Sequence, residues 1–276
     1  MSSFVSQGNH SIAQETRSLI SKRYKTITKA VNVSFWGSSS ETLHSRYVGS
    51  YGRGTAINTS DLDVLIELPS NEYDHFTSLS GNGPSRLLQA VKDAILAAYP
   101  KTDIRGDGQV VVINFSDGMK FEILPAFQHL NPFTALWDGT YVYPDSHMGG
   151  NWMTTNPKVE QDAMGIKNSY DESNGLLFDT CKHIRYIRGD SFSSYHLSGI
   201  LIDSFVYAAI KDWHWLRDNE QGSGKPAGTY EQVLLDYYNQ FPYPSLFPPT
   251  IYAPGSGMNV GVDDWEVLGK VLGKMV

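Results

Sequence analysis

A single cysteine, Cys181, occurs in the 276 residues. One thiol cannot close an internal disulfide, and such sparing use fits a reducing compartment. Cys181 itself reads as a small buried residue on a helix. No apolar run approaches the ~18 residues of a membrane-crossing helix, and the first residues hold no hydrophobic stretch of the signal-peptide kind. These absences lead to the expectation of a soluble, cytoplasmic protein with no membrane partner. Positive charge is scarce too: 22 Lys and Arg face 29 Asp and Glu, a formal net charge of -7. A sequence-independent grip on duplex nucleic acid needs a basic surface, so no strong duplex binding is expected. Internal repeats and coiled-coil heptads are also missing. The 41% hydrophobic content is ordinary for a globular chain, and the length suits one large domain or two modest ones.

The most informative stretch runs from Val48 to Leu68, V-G-S-Y-G-R-G-T-A-I-N-T-S-D-L-D-V-L-I-E-L. Strand residues two apart share a face, so Asp61 and Asp63 aim at one point with Leu62 buried behind them. Val64, Leu65 and Ile66 carry the strand into a core. Paired carboxylates repel unless a cation sits between them, and Mg²⁺ is the natural cation for hard oxygen ligands that also hold substrate phosphates. Gly49 and Ser50 suit the other half of such a site. Glycine lets a phosphate approach the backbone, serine adds a hydroxyl and an N–H, and a helical turn near Tyr51 would add further N–H donors.

Around this stretch, residues 1–10 read as loosely held. Ser11 to Val33 reads as a helix with Ile12, Thr16, Ile20, Tyr24 and Ile27 at spacings of three and four, and a basic outer face of Lys22, Arg23, Lys25 and Lys29. Leu43 to Val48 reads as a strand, and Asn71 to Pro84 as a loop. A helix follows from an N-cap at Ser85 to Tyr99, with Leu87, Leu88, Val91, Ile95 and Leu96 on one face. Val110 to Phe115 and Met119 to Phe127 form a hairpin turning at Ser116-Asp117-Gly118. On its return strand Lys120, Glu122 and Leu124 share a face. An acid in so apolar a strand needs a partner or a metal. Glu122 therefore reads as a third carboxylate of the metal site, or as a partner for Lys120 or an arginine. From Leu176 onward the chain reads as mostly helical: Leu176 to Arg188 with Leu177, Cys181, Ile184 and Ile187 buried, then Ser198 to Trp213, Tyr230 to Phe241 and Asp263 to Met275. A flexible polar loop is expected at 219–228 and an extended segment at 241–254. Lys182 and Arg185 lie three apart and could meet one anion.

The G-S turn followed by D-x-D at the head of a strand resembles the polymerase-β-like nucleotidyltransferases. The order helix, strand, G-S, D-x-D strand, helix, hairpin, third acid and L-P-A-F is similar to that of the bacterial cGAS/DncV-like enzymes. Further likenesses follow at Gly149-Gly150-Asn151-Trp152, at Thr155-Asn156-Pro157-Lys158 and at Phe192-Ser193-Ser194-Tyr195-His196. The likeness covers roughly Val48 to Tyr207, with an echo at Met258-Asn259-Val260. It departs from the family at Glu122, where an aspartate is usual.

The resemblance implies an α+β fold: a polymerase-β-like core of mixed sheet and helices over 1–150, and a mostly helical lobe over 151–276, two-lobed about a central cleft. It implies Asp61, Asp63 and Glu122 as catalytic ligands of two Mg²⁺ ions, with Mn²⁺ as a substitute. Gly49, Ser50, Ser194 and either Lys182 or Arg185 would hold the donor phosphates, and Tyr195 would stack on its base. His196 reads as structural. The expected activity joins NTPs, ATP among them, into a cyclic or short linear oligonucleotide messenger. That product would act on a separate effector protein in anti-phage defence. A tRNA- or protein-modifying nucleotidyltransferase, or a catalytically silent nucleotide-binding module, are the competing readings.

Overall fold

The computed structural model describes residues 4–57, 61–131, 133–134, 136–218, 220, 229–241 and 246–276. The chain forms two compact units: one of Ala13–Gly52 with Thr59–Pro157, the other of Met1–Ile12, Arg53–Asn58 and Lys158–Val276.

The first unit is built on a mixed sheet. Helix α1 (Gln14–Trp36) buries Ile20, Tyr24, Ile27 and Val31 and ends where Gly37 takes the left-handed conformation and donates its N–H to Asn32 O. The helix therefore runs one turn later than the apolar spacing indicates, because Gly37 supplies the stop signal. The sheet's described strands are β1 (Ser45–Tyr47), β2 (Leu62–Glu67), β3 (Asp103–Asp107), β4 (Val110–Asn114), β5 (Lys120–Leu130), β6 (Trp137–Asp145) and β7 (Asn151–Thr155). Their order is β1-β2-β5-β4-β3, with β6 paired to β5 and β7 to β6. Only the β2–β5 pairing is parallel among them. The sheet's centre is dry: Val64, Leu65, Ile66, Val111, Ile113, Phe121 and Ile123 are buried.

Two expectations need correction here. Helix α3 (Ser70–Ser78) occupies much of the segment read as a loop, and Phe76 is its only buried residue. One anchor cannot produce a visible helical period. Helix α4 (Gly83–Ala98) presents Leu87, Leu88, Val91 and Ile95 to the core as expected, but its cap is Asn82, whose Oδ1 accepts the Ser85 N–H. Asn82 sits before Gly83-Pro84, and proline in the first turn is itself a start signal. Strands β3, β6 and β7 are not apparent in the residue pattern.

The second unit is mostly helical: α5 (Pro157–Asn168, whose first residue closes the other unit), α6 (Leu176–Ser191), α7 (Gly199–Ala209), α8 (Thr229–Tyr238) and α9 (Trp265–Met275), with a short ribbon of β8 (Ile251–Tyr252) and β9 (Asn259–Val260). Leu177, Cys181, Ile184 and Ile187 of α6 pack into a core with Leu201, Phe205, Leu268 and Leu272. Helix α7 is shorter than the apolar run, and Lys211 beyond it has φ 46°. Apart from Glu220, the loop read at 219–228 lies outside the described residues, as do 242–245 of the segment read as extended. The N-terminal residues 4–10 are not loosely held. Val5 is buried and donates its N–H to Glu231 Oε1 at 2.7 Å, and Gly8 N donates to Asp179 Oδ2 at 3.0 Å. No described helix is long and apolar enough to cross a membrane.

Candidate active site

Strand β1 hands the chain through Val48 to the short turn α2 (Gly49–Gly52). Two backbone bonds fix that passage: Val48 N–H donates to Asp63 O and Gly52 N–H to Val48 O, each at 2.9 Å. Gly49 has φ +58°, and a β-carbon there would overlap the Asp63 carboxylate. Glycine is needed at 49 because an acid lies against its Cα, a closer and more specific reason than the phosphate approach read from the sequence. Ser50 lies half-buried in the same turn.

The three acids come from two neighbouring strands. Asp63 of β2 stands in register with Glu122 of β5, and Asp61 leads into β2 with buried Leu62 behind it. Lys120 of β5 reaches between two of them. Its Nζ lies 2.6 Å from Glu122 Oε1 and 3.1 Å from Asp61 Oδ2. Burial pulls the Lys120 pKa down, but the hydrogen bonds and charges of Glu122 and Asp61 outweigh it and hold the ammonium above the ordinary lysine range. Of the two readings of Glu122, the structure shows the pairing with Lys120. Among the described residues no three His, Cys, Asp or Glu side chains form a ready metal cluster.

In the helical unit the picture differs residue by residue. Lys182 is half-buried on α6. Arg185 does not join it at an anion, which corrects the expectation for that pair. The Arg185 guanidinium is buried, donating to Asp203 Oδ1 at 2.7 Å, Cys181 O at 3.2 Å and Gly199 O at 2.9 Å. Asp203 also accepts from Arg53 Nε at 2.8 Å and Thr55 Oγ1 at 3.0 Å. Burial raises the Asp203 pKa, yet Arg185 and Arg53 outweigh it and hold the carboxyl below the usual range. Ser194 and Tyr195 lie in an exposed turn ahead of α7. The Tyr195 ring is 45% exposed with Lys270 Nζ 4.6 Å from its centroid, leaving much of an aromatic face in solvent. His196 pairs with Asp264 through Nδ1 at 2.8 Å.

Two residues of consequence are not apparent in the residue pattern, and a third only in part. Lys120 reads there as a partner for Glu122, but its contact with Asp61 is not visible. Asp203, an acid inside a strongly apolar helix, carries the signal of a buried ion pair but does not name its partner. Arg53 sits within G-S-Y-G-R-G-T, where its sequence neighbours point elsewhere.

Residues 2–168 match the family described as the Second Messenger Oligonucleotide or Dinucleotide Synthetase domain. The chain belongs to this family. Membership makes it a cGAS/DncV-like nucleotidyltransferase, an enzyme that synthesises oligonucleotide or dinucleotide second messengers. A comparison with curated proteins finds no match. Among solved structures, Elizabethkingia meningoseptica CdnE cyclic dinucleotide synthase, determined with GTP and Apcpp, is similar at TM-score 0.59 and 13% identity, over 94% of this chain and 89% of that one. Rhodothermus marinus CdnE c-UMP-AMP synthase, with Apcpp and Upnpp, is similar at TM-score 0.62 and 13% identity, over 96% and 91%. A mutant of the Vibrio cholerae di-nucleotide cyclase DncV is similar at TM-score 0.61 and 11% identity, over 95% and 84%. At these identities the likeness shows the family's fold, a mixed sheet with helices.

Members of the family generally use divalent metal ions. The donors here fit such an ion in kind: three carboxylates, Asp63 and Glu122 on adjacent strands and Asp61 just before the first of them, offer hard oxygens, and two of them already converge on one cationic group, the Lys120 ammonium.

Proposed function

We propose that this family member joins nucleoside triphosphates, ATP among them, into a cyclic or short linear oligonucleotide, with Asp61, Asp63 and Glu122 as its catalytic acids. The observation that carries the assignment is the convergence of Asp61 and Glu122 on a single cation beside Asp63, which is in register with Glu122. Mg²⁺, two ions in all with Mn²⁺ as a substitute, would neutralise the triphosphate and lower the pKa of the acceptor hydroxyl when bound. The acceptor oxygen attacks the donor α-phosphorus in line and pyrophosphate leaves, so the chain's own task is positioning and charge neutralisation.

Gly49 keeps the backbone clear for Asp63, and Ser50 offers its N–H and hydroxyl to the donor phosphates. Lys182 and Ser194 are the proposed phosphate contacts of the helical unit, and Tyr195 the base platform, because its side chain is exposed and stacking tolerates any base. Arg185 is left out of this set, being engaged by Asp203. The product would act in the cytoplasm on a separate effector protein, in the anti-phage setting of the family.

The test is incubation of the purified chain with the four labelled NTPs and Mg²⁺ or Mn²⁺, followed by phosphatase and mass analysis. A phosphatase-resistant product that disappears in Asp61→Asn supports a cyclase, and a phosphatase-sensitive ladder that does so supports a linear synthase. Product formation that survives Asp61→Asn would refute the assignment of the acids.

A further inference from the structure

Lys120 is a residue to which the messenger-synthesising reaction assigns no role, yet it contacts two members of the acid cluster. Residues two apart on a strand share a face, so β5 places Lys120 and Glu122 side by side. Across the parallel pairing Glu122 stands opposite Asp63, and Asp61 is two residues before Asp63. The Lys120 side chain is one-third exposed and long enough to extend into solvent. It is instead folded onto two carboxylates at 2.6 and 3.1 Å. It thus contacts two of the three acids that the proposed reaction needs for a metal ion and offsets one of their charges.

We infer that Lys120 is a built-in competitor for the metal: its ammonium ties Asp61 to Glu122 and swings away when an ion enters, so it sets how tightly the site takes that ion. This rests on the reading of Asp61, Asp63 and Glu122 as metal ligands. The lysine can be displaced. Each ammonium–carboxylate contact is partly exposed and individually weak, whereas a divalent ion brings twice the charge and ligates both acids directly. Before an ion binds, the lysine relieves the repulsion that would otherwise spread the carboxylates apart. Glu122, one methylene longer than aspartate, has the reach to stay with the lysine or turn to an ion.

The experiment is titration of the full chain with Mn²⁺ alone, without nucleotide, followed by electron paramagnetic resonance or calorimetry. The proteins are wild type, Lys120→Met and Lys120→Gln. Both variants are expected to bind Mn²⁺ about tenfold more tightly than wild type, the loss of two weak contacts. Thermal unfolding gives a second readout: without metal the variants melt lower than wild type, and saturating Mn²⁺ raises their midpoints by more. Unchanged or weaker Mn²⁺ binding in both variants would overturn the inference while leaving the metal site itself standing. A wild-type chain that binds no Mn²⁺ and makes no product from NTPs would overturn the reading of the acids as well.

Discussion

Arg185 Nη1 donates to Asp203 Oδ1 across 2.7 Å, with both side chains buried. Asp203 also holds Arg53 and Thr55, so one carboxylate ties α6, α7 and the segment that follows the G-S turn into a single network inside the helical unit. Arg53 also lies 3.6 Å from Glu160 Oε2, but Asp203 is the acid shared by both guanidinium groups, and an unpaired charge in a dry interior is costly. Removing that carboxylate should be among the most damaging single changes in the chain. Asp203→Ala is expected to destabilise by ~3–5 kcal/mol, as removal of one partner of a buried pair does. Urea unfolding checks it, with Ser194→Ala as an exposed control that leaves the midpoint where it was.

Gly49→Ala combines two faults. The left-handed backbone costs a side-chain-bearing residue ~1–2 kcal/mol, and the added methyl overlaps the Asp63 carboxylate. The expected result is a folded protein with a modestly lowered unfolding midpoint and product formation reduced at least tenfold, about 1.4 kcal/mol in barrier. Wild-type activity in this variant would show that Asp63 tolerates displacement.

Glu122 separates charge from length. Glu122→Gln keeps the shape and removes the charge, and is expected to lose product formation. Glu122→Asp keeps the charge but shortens the reach and is expected to retain product formation with an altered Mn²⁺-to-Mg²⁺ preference. Initial rates in each metal measure both.

The packing of His10 against α6 should respond to acid. His10 Nε2 lies 3.2 Å from His183 Nδ1, and the His10 ring stacks on Tyr186 at 4.2 Å. Burial, then His183, then Lys182 lower the His10 pKa below its ordinary 6.5. The folded state therefore binds this proton less readily than the unfolded chain. The resulting stability is complete above about 6.5 and declines as pH falls through and below that value. Urea midpoints measured from pH 8 to 5 should fall, and His10→Gln should flatten that dependence; parallel curves would assign it to other groups.

What the sequence determines by itself is whatever rests on local period. The D-x-D strand, the hairpin that returns through Glu122, the apolar faces of α4 and α6, and the shared face of Lys120 and Glu122 all follow from spacings of two or of three and four, which fix which side chains lie together on one element. The family resemblance rests on the order of those same local motifs. What only the tertiary structure decides is which distant group each side chain meets. Lys120 reaches Asp61 across 59 positions, and Arg53 reaches Asp203 across 150. Nothing within either segment distinguishes these partners from other acids, since an ion pair is chosen by how elements pack and how much water they exclude. The same packing turns Arg185 from a candidate phosphate ligand into a buried partner of Asp203. It ties the polar N-terminal residues to Glu231 and Asp179, and it makes glycine obligatory at position 49, beneath an acid of the neighbouring strand.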